Sequence, residues 1–171
     1  MVLALLGPVP TPAHGGSAPD AVRLSVAPGK DTQFTALTGE AGLPSGNVYG
    51  IAQDTQGFLW FATGDGLSRY DGYTFRNFRF DRNNPNSLGH NTVVAIRPGR
   101  GGVLWLGTTG GGVDRFDPAT ETFTHYRNDP GNPSSLSSNS ISEGSVYEDP
   151  EGVLWVGTTD SGLNRLDLAT G

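Results

Sequence analysis

Cysteine is absent from this sequence, which removes disulfides and thiolate metal ligands from consideration. That absence is compatible both with an exported bacterial protein that needs no staples and with a cytosolic one. Lysine is nearly absent as well: Lys30 stands alone, and the formal net charge is −6. There is no Lys/Arg field of the kind that phosphate backbones or anionic lipids require, so nucleic acid is disfavoured as a direct partner. Long apolar runs are missing. The opening MVLALLG, Met1–Gly7, falls far short of the roughly 18 residues that suggest a membrane span, and no span is expected. A basic start is lacking too, although small residues follow at Ala13 to Ala18. Residues 1–30 therefore read either as the remnant of an export signal or as a disordered tail. His14, His90 and His125 have no mutual ligand spacing, so no metal site and no cofactor are expected.

What is plentiful points to β structure. Glycine at 26 and proline at 12, with 35% apolar residues, suit a chain that turns every few residues and still buries a core. Three stretches repeat one another: FLWFATGDGLSRYD at Phe58–Asp71, VLWLGTTGGGVDRFD at Val103–Asp117 and VLWVGTTDSGLNRLD at Val153–Asp167. The tryptophans set the period, 45 residues from Trp60 to Trp105 and 50 from Trp105 to Trp155. A period of that size is about four short strands with their turns, which makes each repeat one small sheet.

The first sheet is expected over residues 42–80, with strands at Val48–Gln53, Leu59–Thr63, Leu67–Tyr70 and Thr74–Phe80 joined by turns at Gly57, Gly64-Asp65-Gly66 and Asp71-Gly72. The second, within 81–126, has strands at Val93–Arg97, Leu104–Thr108, Val113–Phe116 and Thr122–Tyr126. The third, within 127–171, has strands near Ser145–Glu148, at Leu154–Thr158 and at Leu163–Leu166, and lacks a fourth. Ahead of them, Gln33–Thr38 alternates apolar and polar residues and reads as a lone strand followed by a turn, within 31–41. Polar connectors at Phe80–Asn91 and Tyr126–Asn139 share an Asn-Pro and a Ser-Leu, and cross from the outer edge of one sheet to the inner edge of the next. The acid closing the first strand is present as Asp54 and Asp149 but is Gly99 in the second repeat, and the third carries two extra residues around Glu143-Gly144 that should bulge its first strand.

No catalytic site is visible: the Gly110-Gly111-Gly112 run is followed by neither a helix nor a Lys-Ser pair, and nothing resembles a nucleophile elbow. Trp60, Trp105 and Trp155 could form a sugar platform, but their fixed place between alternating apolar residues assigns them to packing between sheets. Arg69, Arg115 and Arg165, followed two positions later by Asp71, Asp117 and Asp167, could hold an acidic ligand; a local ion pair or turn lock is the structural alternative. If a ligand binds, the turns between second and third strands and the entries to the first strands share one rim, which offers Asn47, Asn91 and Asn139 with Asp65, Thr109 and Asp160. Turn capping by the same residues is the competing explanation.

The segments GLPSGNVYGIAQDTQGFLWFATGDGLSRYDGYTF (Gly42–Phe75) and SLSSNSISEGSVYEDPEGVLWVGTTDSGLNRLD (Ser135–Asp167) resemble two-component regulator propeller repeats. The resemblance runs from about Gln33 onward. It implies an all-β, open partial propeller of three antiparallel blades, the last without its outer strand. It also implies a non-enzymatic, extracytoplasmic or periplasmic sensor segment of a hybrid histidine kinase or diguanylate cyclase, sensing an oligosaccharide or another small external ligand. In such propellers the segment before the first blade resembles the outer strand of the last, so the chain is expected to be a fragment that lacks further blades and self-associates through unpaired edges. Two other functions compete. A propeller lyase needs a His/Glu constellation on the central face, and an interaction scaffold needs an exposed apolar patch.

Overall fold

The computed structural model describes residues 34–170, so the tail at 1–30 lies outside the described residues. Among the described residues eleven strands form three antiparallel sheets. Blade 1 comprises β1 (Val48–Gln53), β2 (Leu59–Thr63), β3 (Gly66–Tyr70) and β4 (Phe75–Phe78). Blade 2 comprises β5 (Val93–Pro98), β6 (Leu104–Thr108), β7 (Val113–Asp117) and β8 (Thr122–Tyr126). Blade 3 has β9 (Ile141–Glu148), β10 (Val153–Thr158) and β11 (Leu163–Asp167), a three-stranded sheet in the order β11-β10-β9. The fold is the expected all-β partial propeller. Strands β1, β5 and β9 stand next to one another as the inner strands.

Alternation decides which face of each blade meets which neighbour. In blade 1, Ala52 and Trp60 face blade 2 and join a core with Leu88, Val93, Ile96, Leu104, Leu106 and Phe116. In blade 2, Trp105 and Val113 face blade 3 and pack with Ile141, Val146, Leu154 and Val156. The tryptophans thus pack between blades: Trp60 meets Phe116 edge-on with ring centroids 5.2 Å apart. Trp155 has no blade beyond it among the described residues and is half-buried, whereas Trp60 and Trp105 are fully covered. Neighbouring blades approach so closely that a Cβ on Gly50 of β1 would sit 2.9 Å from Ile96, and one on Gly107 of β6 would sit 2.7 Å from Ile141.

Two expectations are corrected. Over its described part, Phe34–Thr38, the segment read as a lone strand forms none: among the described residues no strand pairs with it to supply ladder bonds, and the chain instead enters a 3-10 turn at Gly39–Ala41. The first strand of blade 3 starts at Ile141 and not near Ser145. The cause is the bulge. Register slips by one residue at the same place in blades 1 and 2, after Val48 and after Val93. In blade 3 the slip between Ile141 and Val146 opposes a single residue between Thr158 and Val156. The two extra residues enlarge a bulge common to all three blades, so β9 begins before the insertion and resumes after it.

Candidate functional site

Three recurrent devices place the rim where first strands begin and second-to-third turns end. A buried threonine, Thr63, Thr108 or Thr158, donates its hydroxyl to the carbonyl of Gly66, Gly112 or Gly162 at 2.9–3.0 Å and fixes each turn. The amide of Gly66 then donates to the carbonyl of Asn91, and that of Gly112 to the carbonyl of Asn139. The turn of one blade is thereby tied to the entry of the next. Gly66 and Gly112 sit at φ 116° and 77°, and a Cβ on either would collide with the carbonyl of Phe78 or Tyr126, so only glycine fits.

The rim residues divide by register. Asn91 and Asn139 occupy matching places, and each side chain closes its connector by accepting a backbone N–H, from Phe80 and Asn128 respectively, at 2.8 Å. Asn47 is one step out of phase, matching Thr92 and Ser140: the carbonyls of these three accept from Gly64, Thr109 and Thr159. Asp65 pairs with Arg79 at 2.8 Å, the Thr109 hydroxyl lies 3.3 Å from His90 Nδ1, and Asp160 accepts from the Ser161 hydroxyl. Asn91 and Asp65 flank one blade junction, while Asp160 stands on the last turn beside Thr159, which is tied to Ser140.

The Arg and Asp of each repeat separate in space. Arg69, Arg115 and Arg165 lie directly across the ladder from Trp60, Trp105 and Trp155. The Arg69 guanidinium stacks over Phe58 at 4.7 Å and reaches Trp60 at 5.9 Å, a cation–π arrangement. The acids lock turns: Asp71 accepts from the amides of Tyr73 and Thr74, Asp117 from Ala119, and Asp167 from Ala169 and Thr170. The Thr74 amide is the chief reason that the Asp71 carboxyl is held below its ordinary value.

At the opposite end of the first strands, Asp54 and Asp149 accept the indole N–H of Trp60 and Trp155 at 2.7 and 2.8 Å. The Trp155 bond is the largest cause of the lowered Asp149 pKa. In blade 2, where Gly99 stands, the Trp105 indole donates instead to Glu148 of blade 3 at 2.7 Å. Beside it a cleft of about 390 Å³ opens among Arg100, Val103, Arg115, Tyr126, Glu151 and Leu168. A larger one, about 820 Å³, lies along the outer edge of β11 and is lined by Tyr126, Leu136, Leu154, Leu163 and Leu166.

Two clusters escaped the sequence reading. One is the Glu148–Trp105 contact, whose signal was the missing acid at Gly99 beside a surplus acid before Asp149. The other is Asp114, which is 0% exposed and holds His125 Nδ1 at 2.6 Å. Its signal was a polar residue preceding each repeat arginine, Ser68, Asp114 and Asn164. No group of three or more His, Cys, Asp or Glu among the described residues is arranged to hold a metal.

The two component regulator propeller family matches at residues 42–65 and 135–160. Both stretches fall on the blades that keep the acid after the first strand. These two stretches match two component regulator propeller repeats. The repeats superpose on the extracellular domain of a hybrid two component system of B. thetaiotaomicron with a TM-score of 0.74 at 32% identity, over 80% of this chain and 19% of that one. Histidine kinase P4 of Formosa agariphila is 44% identical over 52 residues, 30% of this chain and 4% of the kinase. The chain thus spans about a fifth of the solved structure it resembles and a small part of the kinase. Among the described residues no helix is long and apolar enough to cross a membrane.

Proposed function

We propose that these propeller repeats form part of the periplasmic input region of a two-component signalling protein, a hybrid histidine kinase or a diguanylate cyclase. In this reading they bind an external ligand without transforming it. The observation that carries the reading is the 32% identical match to the extracellular domain of a hybrid two component system. The ligand would be an oligosaccharide or another small polar molecule, held on the rim that carries Asp65, Asn91, Thr109, Asn139 and Asp160. Polar side chains on a rigid scaffold are the usual means of recognising such a solute.

The test is calorimetric titration of the chain with a panel of neutral and acidic oligosaccharides of defined length, with mass analysis of each sugar afterwards. Saturable heat that is lost in Thr109→Ala and Asp160→Ala, with the sugar recovered intact, supports the reading. Cleaved sugar would replace it with an enzymatic one, and heat unchanged by the rim substitutions would move the site elsewhere.

A second reading is favoured by the apolar side chains on the free faces of the outer blades. Ile51 on blade 1 is 61% exposed, and Tyr147 and Leu163 on blade 3 are 56% and 68% exposed. The positions matching Leu163 in the other blades, Leu67 and Val113, are fully covered by the next blade. Exposed faces of this kind suit contact with further blades of a longer propeller or with another copy of the chain. Light scattering across a concentration series tests the second case, in which mass rises with concentration.

A further inference from the structure

Asp114 and His125 lie opposite each other on β7 and β8, on the face of blade 2 that the connector from blade 1 crosses. The aspartate has no exposed surface. Its Oδ2 accepts the amide N–H of Gly89 at 2.6 Å and its Oδ1 lies 2.6 Å from His125 Nδ1, while His125 Nε2 lies 3.0 Å from the carbonyl oxygen of Pro85. A carbonyl oxygen only accepts, so Nε2 must carry a hydrogen. With Nε2 committed, the short contact to Asp114 also needs a proton, on the imidazole facing a carboxylate or on the acid facing the imidazole. Either way the complete set of bonds exists only while the pair holds one proton more than neutral histidine and ionised aspartate.

We propose that Asp114 and His125 are a proton-held latch on the connector between blades 1 and 2. While the shared proton is present, the stretch from Pro85 to Gly89 is fastened to blade 2; when the proton leaves, that stretch is released. Deprotonation sets a nitrogen lone pair against either the buried carboxylate or the Pro85 carbonyl, and both arrangements repel. Leu88, within this stretch, stays buried in the core shared by blades 1 and 2, so what opens is the pair of bonds at Pro85 and Gly89 on either side of it, and the blades stay together. The same connector ends at Asn91, tied to the Gly66 turn, so the latch acts on the entry to the rim. It does not depend on the sensor reading.

The other blades supply the comparison. At the matching place blade 1 uses the Ser68 hydroxyl and Asn77, whose amide holds the carbonyl of Gly42. Blade 3 uses Asn164 and Ser137. Neither set titrates. The charged groups bearing on the His125 ring are Asp114 from β7 and Arg127, just past β8; the connector contributes the Pro85 carbonyl. The bond to Asp114 raises the histidine above its ordinary value of 6.5, against burial and the Arg127 charge. With a raised value, the stabilisation is complete below the ordinary imidazole range and is lost as pH rises through the raised value.

The experiment follows amide hydrogen exchange of the 171-residue chain between about pH 5.5 and pH 9, corrected for intrinsic rates. Protection of the Gly89 amide should fall by roughly tenfold or more across the window, with the β6 amides unchanged. Asp114→Ser with His125→Asn copies the blade 1 pair and should make Gly89 protection independent of pH. Flat protection in the wild type overturns the proposal, as does an equal fall in the double variant. Should that variant fail to fold, nitrogen-15 shifts of the wild-type ring decide. Both nitrogens must bear or share a proton at mildly acidic pH, with a midpoint above the ordinary imidazole value, and a midpoint at or below it removes the latch.

Discussion

Trp105 donates its indole N–H to a carboxylate on the next blade, Glu148, where Trp60 and Trp155 use an acid of their own blade. The exchange is sterically complete. A Cβ on Gly99 would lie 2.6 Å from Trp105 Nε1 and 2.7 Å from Glu148 Oε2, so the neighbouring blade's carboxylate occupies the room that an acid at Gly99 would need. Glu148 also accepts from the Arg100 amide and faces the Arg100 guanidinium at 3.6 Å. A bond that is internal to two blades has become a joint between blades 2 and 3.

Removing the acceptor should therefore loosen the joint. Glu148→Ala leaves a buried indole N–H without a partner and should cost about 1–3 kcal/mol by urea denaturation. Glu148→Gln keeps an accepting oxygen and should cost less. Gly99→Asp alone should destabilise, because it meets both groups at once, and its cost should shrink when combined with Glu148→Ala. Additive costs for that pair would mean that Gly99 and Glu148 do not compete for one place.

Burial predicts a graded response among the tryptophans. Trp60→Ala empties a covered site between blades and should cost about 3–5 kcal/mol. The half-buried Trp155 covers less apolar surface, so Trp155→Ala should cost about half as much. Equal shifts in the denaturation midpoint would argue against interblade packing as the tryptophans' main work.

Much of this architecture could be read from residue order, and the exceptions have identifiable causes. The strands at Val48–Gln53, Leu59–Thr63, Leu104–Thr108 and Thr122–Tyr126 have the expected bounds, because alternation bounded by turn residues is a local signal. The start of β9 is hidden by the enlarged bulge, which breaks alternation at Glu143-Gly144. The phase of Asn47 lay in the residue count: Asn47 stands 13 residues before Trp60 and Asn91 stands 14 before Trp105, and the equal bulges of blades 1 and 2 keep that count in register. Asp114, His125 and Glu148 act through partners on another strand, connector or blade, so the polar residue before each repeat arginine and the acid missing at Gly99 mark positions without naming the partners. The turns beside the rim were readable because they are the most regular, but the hydrogen bonds of the residues on them depend on how consecutive blades abut.

Those turns can be tested directly. Gly66→Ala places a Cβ against the Phe78 carbonyl at φ 116°, combining a left-handed backbone with a clash, and should cost more than about 2 kcal/mol. Gly72→Ala has a similar φ of 98° with open space around the Cβ, so it should cost only about 1 kcal/mol. Thermal unfolding of the two variants separates backbone preference from collision; similar losses would show that the tie between the Gly66 turn and Asn91 tolerates displacement.

Acid should act through the turn carboxylates. Asp149 accepts the Trp155 indole and the amides of Glu151 and Val153, and these bonds favour the ionised form and hold its pKa below 3.8. For a depressed carboxyl the contribution to stability is present above the unfolded-state value and disappears as pH falls through the folded-state value. Asp71, held low chiefly by the Thr74 amide, follows the same sign. Midpoint temperatures measured from neutral pH down to about pH 2.5 should therefore fall steeply at the acid end for the wild type. Asp149→Asn keeps an oxygen for the indole but has no proton to gain, so it should start lower at neutral pH and lose less on acidification. Parallel curves for the two proteins would mean that the Asp149 charge adds nothing to the joint between turn and tryptophan.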